Sequence, residues 1–246
     1  MLIEIQGISK RFGGLQAVDN VSLTARSGAV TAVIGPNGAG KSTLIDCLTG
    51  ITTFDSGRIV IDGISHDRIA LQDLVELGIS RTFQHIRLFE SLDAREHLVL
   101  ARQSLAASRR GRALLRAGTA LPDPDRLLDR VGVSAKAGQR PGELAYGERR
   151  RLEIARALAT APHLLFLDEP AAGSTLSEQN SLAELIRSIA AEGVAIVLVE
   201  HHMDLVGKVS EQVVVLNFGR HVVTGSIVEV RQHPEVIRAY LGVSAA

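Results

Sequence analysis

Short apolar runs rich in β-branched residues recur along the chain and alternate with longer stretches of helical period, a pattern that predicts an α/β domain with a largely parallel sheet. The runs that predict strands are residues 2–5, 21–24, 30–34, 58–61, 164–167, 195–199, 212–216 and 221–224. Two of them, 164–167 and 195–199, show no polar alternation and are expected at the centre of a sheet covered on both faces. Between Asp93 and Leu158 the strand signal gives way to Ala, Leu and Arg at helical spacing, which predicts a helical insertion over about residues 90–160. Arg140-Pro141-Gly142 and the stretch 121–124 punctuate its helices.

Two of the predicted strands end in residues suited to phosphate chemistry. Ile34 leads into Gly35-Pro36-Asn37-Gly38-Ala39-Gly40-Lys41-Ser42-Thr43, after which helical period resumes at Leu44, Ile45 and Leu48. Glycines in such a loop let successive backbone N–H groups curl around the β- and γ-phosphates, and the following helix turns its positive dipole end toward the anion. Lys41 is placed to bridge phosphate oxygens, and Ser42 to offer its hydroxyl to Mg²⁺. The run 164–167 ends in Asp168-Glu169-Pro170. Asp168 is placed to hold the Mg²⁺ shell, and Glu169 to accept a proton from, or orient, the water that attacks the γ-phosphate.

Composition narrows the class. The 246 residues are 46% hydrophobic and 22% charged, ordinary for a folded domain, which argues against disorder, collagen-like repeats and rods. Lys plus Arg and Asp plus Glu both number 27, and this balance speaks against nucleic acid held by bulk positive charge. Cys47 is the sole cysteine, so no intramolecular disulfide forms and a reducing compartment is expected. The longest apolar run, 194–199, falls far short of the roughly 20 residues that span a bilayer, and residues 1–6 do not read as a secretory signal. The stretch 97–122 lacks acidic residues but holds Arg102, Arg109, Arg110, Arg112 and Arg116, a basic face that is either solvated or turned to a membrane or partner.

With these motifs in place the chain resembles the ATP-binding cassette ATPases. The specific marker is Leu144-Ala145-Tyr146-Gly147-Glu148, followed by the helical 149–158 and lying ahead of Asp168 as that family's signature loop does. The resemblance covers essentially the whole chain. It implies a single ATP-binding domain over 1–246: a P-loop NTPase core with a small antiparallel β subdomain and an inserted helical subdomain. It also implies ATP and Mg²⁺ as ligands, with Ser42, Gln84 and Asp168 around the metal. Phe12 would stack on adenine, Gln84 would sense the metal and attacking water, and His201 would contact the γ-phosphate as the switch histidine. Ala145, Tyr146, Gly147 and Glu148 would close on ATP bound to a second cassette in a head-to-tail dimer. A metal pair of His201 with His202 is disfavoured, because neighbours in sequence do not share a helix face.

Four segments narrow the resemblance to the ATPase subunits of high-affinity branched-chain amino-acid importers: 81–89, 144–147, 170–173 and 236–242. That likeness implies membrane-spanning permease subunits, a second, non-identical ATPase and, indirectly, an external solute-binding protein, with the chain peripheral on the inner face of the cytoplasmic membrane. Ile86, Leu88 and Phe89 would line the groove that receives a permease helix, unless they pack inside the helical subdomain. Rival readings are a cassette ATPase for another solute or a lipid, a soluble cassette ATPase in DNA repair or translation, and a kinase. The chain departs from the family pattern at Ala145, where Ser is usual, and at Glu148, where Gln is usual. Ser174-Thr175 and His202 stand where Leu-Asn or Leu-Asp and Asp are common.

Overall fold

The computed structural model describes residues 2–241; Gly242, which closes the last of the importer-like segments, lies outside the described residues. The chain opens with a hairpin, β1 (Leu2–Phe12) and β2 (Leu15–Arg26), paired antiparallel from Leu2 opposite Arg26 to Phe12 opposite Leu15. Both strands outrun the expected 2–5 and 21–24, because Lys10, Arg11 and Gln16 break the apolar pattern while the hairpin ladder, with register shifts, continues through them. β3 (Val30–Ile34) follows, with all five residues buried, and then α1 (Lys41–Leu48). β4 (Ser56–Ile61) pairs antiparallel with β1, and the three-residue β5 (Ile64–His66) with β4, completing an antiparallel sheet in the order β2-β1-β4-β5.

The chain then builds β6 (Ile79–Arg81), α2 (Ala94–Ala107), α3 (Arg109–Arg116), α4 (Pro124–Arg130), α5 (Tyr146–Leu158), β7 (Leu164–Asp168) and α6 (Leu176–Ala191). It returns through β8 (Ala195–Val199), α7 (Met203–Val209), β9 (Gln212–Asn217), β10 (Arg220–Gly225), α8 (Ile227–Gln232) and α9 (Pro234–Leu241). Two compact units result: Met1–Leu71 with Ile186–Ala246, and Gln72–Leu185.

In the first unit β3 lies between β8 and β9, parallel to both, with β10 antiparallel to β9. Ala32 and Ile34 of β3 and Val213 and Val215 of β9 pack with Val206, Val230 and Val236 into one dry cluster. Each buried valine there contributes roughly 1.5–3 kcal/mol. Cys47, on the inner side of α1, has its thiol pushed up to about 11 by burial and is a poor nucleophile at neutral pH.

In the second unit β6 and β7 run parallel, Ile79 opposite Leu164. No strand interrupts the described residues between Asp93 and Leu158. The unit is nevertheless wider than the helical stretch read at 90–160, since β6 and β7 belong to it. α2 starts at a capping box in which Glu96 N–H donates to Asp93 (2.7 Å) and Asp93 N–H donates to Glu96 (2.8 Å). Among the described residues no helix is long and apolar enough to cross a membrane.

Candidate functional site

In the first unit the fully buried β3 delivers the chain into the loop Gly35–Thr43 at a fixed point. Gly40 caps α1 with φ 95, and a methyl group there would stand 2.3 Å from the Ala17 carbonyl oxygen. Only glycine fits this close, left-handed position. Ala39 N–H donates to Pro36 O (3.1 Å), and Gly219 N–H donates to Ala39 O (3.0 Å), so the β9–β10 turn braces the loop from behind. Lys41 is buried, and its Nζ donates to the carbonyls of Gly35 (2.7 Å) and Pro36 (3.0 Å), holding the ammonium across the loop. Asn37, Gly38 and Ser42 are exposed, and α1 has no acidic residue in its first turn to offset its positive end. The hydroxyl of Tyr240 is raised by burial, an effect opposed by its hydrogen bond with the Gly35 backbone. Phe12 is half exposed at the hairpin tip, with Lys10 Nζ 5.3 Å from its ring centre.

β8 ends at a carboxylate that sequence reasoning passed over. Glu200 is fully buried, and its Oε2 accepts the N–H of His201 (2.7 Å), the N–H of His202 (3.0 Å) and a bond from His202 Nδ1 (2.9 Å). The two imidazoles do not diverge as expected. They precede α7 rather than lying in it, so helix-face geometry does not apply, and their ring centres are 4.1 Å apart. His202, unexplained by sequence, thus locks Glu200, which in turn fixes the backbone that carries the exposed His201.

The second unit gathers the acidic pair and Gln84. Thr82 N–H donates to Phe166 O (2.9 Å), and Asp168 N–H donates to Thr82 Oγ1 (3.3 Å), which registers the glutamine segment against the end of β7. Asp168 is buried 3.5 Å from the Arg81 guanidinium. Glu169 takes φ 45, an uncommon conformation for a side chain of its size, and its Oε2 accepts from Gln84 Nε2 at 3.2 Å. The three residues expected to hold Mg²⁺ are not all in one unit: Ser42 lies in the first, Gln84 and Asp168 in the second. All three offer hard oxygen donors, the chemistry Mg²⁺ prefers.

The signature segment begins on buried Leu144 and exposes Ala145 and Tyr146. Glu148 Oε2 accepts the Ala145 N–H (2.9 Å) and pairs with Lys136 (2.8 Å); the Lys136 bond, then the Ala145 bond, hold its carboxyl below the usual range. A methyl at Gly147 would meet Glu178 Oε1 at 2.9 Å. Thr175 caps α6, its hydroxyl accepting from Glu178 N–H (3.3 Å) and its own N–H donating to Glu178 (2.8 Å). That role accounts for a hydroxyl at this departure from the family pattern.

Sequence reading also missed Arg150 and Glu153, both nearly inaccessible on α5. Burial pushes the Glu153 carboxyl up against the pull of Arg150, Arg156 and the N–H groups of Phe83 and Arg87. On sequence alone Arg150 reads as one of three consecutive arginines on a predicted helix, and neither its burial nor its backbone partners leave a signal there.

Residues 18–172 match the ABC transporter family. The chain is 39% identical to the high-affinity branched-chain amino acid transport ATP-binding protein LivG of Salmonella typhimurium over 98% of each chain. It is also 39% identical to the corresponding BraF protein of Pseudomonas aeruginosa, again over 98% of each. Among solved structures, the ADP conformation of MJ1267, an ATP-binding cassette of an ABC transporter, superposes with a TM-score of 0.84 at 28% identity, covering 98% of each chain.

Proposed function

The chain belongs to the ABC transporter family, and on that premise we propose that it is the ATP-hydrolysing subunit of an importer for branched-chain or related amino acids. The observation that carries the catalytic reading is the hydrogen bond between Gln84 Nε2 and Glu169 Oε2, at the end of a strand that also bears Asp168. A carboxylate held by a side-chain amide at a strand terminus is in the arrangement that orients a water. Glu169 takes the proton as the water oxygen bonds to the γ-phosphorus, and the bond to the β,γ-bridging oxygen breaks to leave ADP and phosphate.

The loop Gly35–Thr43 receives the phosphates, with Lys41 leaving its two loop carbonyls to bridge phosphate oxygens. Phe12 covers adenine, and His201, carried by the Glu200-pinned backbone, donates to the γ-phosphate. Ser42, Gln84 and Asp168 would hold Mg²⁺, whose charge would offset that developing on the phosphates. Ala145, Tyr146, Gly147 and Glu148 serve ATP on a second, non-identical cassette in a head-to-tail dimer. The pair docks on membrane-spanning permease subunits at the inner face of the cytoplasmic membrane, and an external binding protein supplies the solute. The solute class rests on relatives matched over 98% of both chains.

The test is Glu169→Gln in the assembled complex. Amide for carboxylate keeps shape and removes the base, so ATP binding persists while hydrolysis falls on the order of 10²–10⁴-fold. Hydrolysis at the wild-type rate would remove Glu169 from the catalytic role.

A further inference from the structure

The buried arginine on α5 ties the first residue of its own helix to the backbone of the glutamine segment. Its Nη1 donates to Phe83 O (2.6 Å) and to Glu153 Oε2 (3.0 Å), and its Nη2 donates to Gln84 O (2.8 Å) and Tyr146 Oη (3.1 Å). Glu153, on the same helix, accepts from the N–H groups of Phe83 (3.3 Å) and Arg87 (3.4 Å) through its other oxygen. Arg156, a turn further on, donates to the Arg87 carbonyl. The segment 83–87 is thus held along its backbone by side chains of the helix that follows the signature loop, and no side chain of the segment is read in doing so.

We propose that Arg150, anchored by Glu153, is a positioning residue that makes the glutamine segment and the signature loop one mechanical body. This rests on the ATPase reading above. The same guanidinium fixes the carbonyl of the residue that touches Glu169 and the hydroxyl of the residue at the start of the signature helix, so neither moves without the other. Force on residues 85–89 then reaches both the chain's own Gln84 and the signature loop that serves the partner's ATP.

Stability alone is a poor explanation of this arrangement. A buried ion pair is often no more stabilising than apolar residues of the same volume. Here Arg150 Nε also finds no hydrogen-bond partner among the described residues, a cost that an apolar replacement would avoid. What the guanidinium supplies and an apolar side chain cannot is a planar fork that sets the relative position of two carbonyls and a phenol.

The experiment is vanadate trapping of a photoreactive ATP analogue in the purified complex, scored separately on each of its two ATPase subunits. Arg150→Gln is expected to lower trapping on both subunits, on the order of ten- to a hundredfold. ATP affinity of the isolated full chain should stay near wild type, because the phosphate loop lies in the other unit. Arg150→Lys should not restore trapping, since one ammonium cannot span Phe83 O, Gln84 O and Tyr146 Oη. Tyr146→Phe removes only the hydroxyl of a residue 46% exposed, so it leaves the core intact and should still reduce trapping on the partner. Loss confined to one subunit in Arg150→Gln, wild-type trapping in Arg150→Lys, or wild-type trapping on the partner in Tyr146→Phe would each overturn the linkage. Glu169→Gln run alongside separates the two readings: if it too fails to arrest hydrolysis, the ATPase assignment falls first.

Discussion

Two alanine substitutions in the phosphate loop should fail in opposite ways. At Gly40, φ is 95 and an added Cβ would lie 2.3 Å from Ala17 O and 3.3 Å from the Gly219 Cα, backbone atoms of β2 and of the β9–β10 turn. The left-handed conformation alone costs roughly 1–2 kcal/mol for a residue with a Cβ. The clash must also displace β2 or the start of α1, which brings Gly40→Ala to at least about 3 kcal/mol. In a chain of this length roughly 1 kcal/mol lowers Tm by about 2–4 °C, so a fall on the order of 6–12 °C is expected. At Gly38, φ is 78 and, its chain neighbours aside, no atom of the described residues lies within 4 Å of the added Cβ. Gly38→Ala should therefore cost about 1 kcal/mol and 2–4 °C. Its methyl, however, stands on the open side of the loop, where the reading places phosphate, so ATP affinity should drop at least roughly tenfold, about 1.4 kcal/mol. Calorimetric melting without nucleotide and ATP titration of the same two proteins check both. An unchanged Tm for Gly40→Ala would refute the close seat against Ala17, and undiminished ATP affinity in Gly38→Ala would refute phosphate binding on that face.

Other outcomes follow from single side chains. His97 is buried, accepts the Phe89 N–H at Nε2 (2.9 Å) and bonds Asp93 O through Nδ1 (2.6 Å), and burial holds its pKa below the ordinary value near 6.5. The unfolded chain therefore binds the proton first: the stability His97 contributes is complete above about pH 6.5 and declines as pH falls toward its lower folded value, a slope that His97→Gln should abolish in urea titrations. Ala145 is the N-cap of α5 without a side chain to cap it, so Ala145→Ser should raise the stability of the isolated chain by about 0.5–2 kcal/mol and tighten ATP-dependent dimerisation, measured by melting and by sedimentation. Phe89 is 55% exposed and stacks on His97 at 5.9 Å, so Phe89→Ala should cost the isolated chain only about 0.5–1.5 kcal/mol while weakening co-purification with the permease subunits; normal transport in cells would contradict the docking role.

The strands that carry chemistry were the legible ones. β3, β7 and β8 are buried on every residue, so burial alone makes them continuous apolar runs, and the functional residues follow directly at their ends. β5 and β6 were invisible because three residues cannot express a period, and β1 and β2 were read short because a hairpin ladder tolerates Lys10 and Arg11 where the apolar pattern stops. The site divides the same way. Lys41, Asp168 and Glu169 belong to local spacings that state their chemistry, whereas Arg150 and Glu153 act through carbonyls and N–H groups 66 to 70 residues away, and backbone groups leave no trace in a sequence.

His202 shows where reasoning from a local rule breaks. The rule that adjacent side chains point apart presumes a helix, and the segment 200–202 is the turn between β8 and α7, where a buried carboxylate gathers two N–H groups and a ring nitrogen within 3.0 Å. An aspartate in place of His202 would set a second acid beside Glu200 and could donate nothing to it while ionised. The histidine instead supplies a donor, so in this chain the backbone under His201 is held by three bonds to one carboxylate, the third of them through the ring of His202.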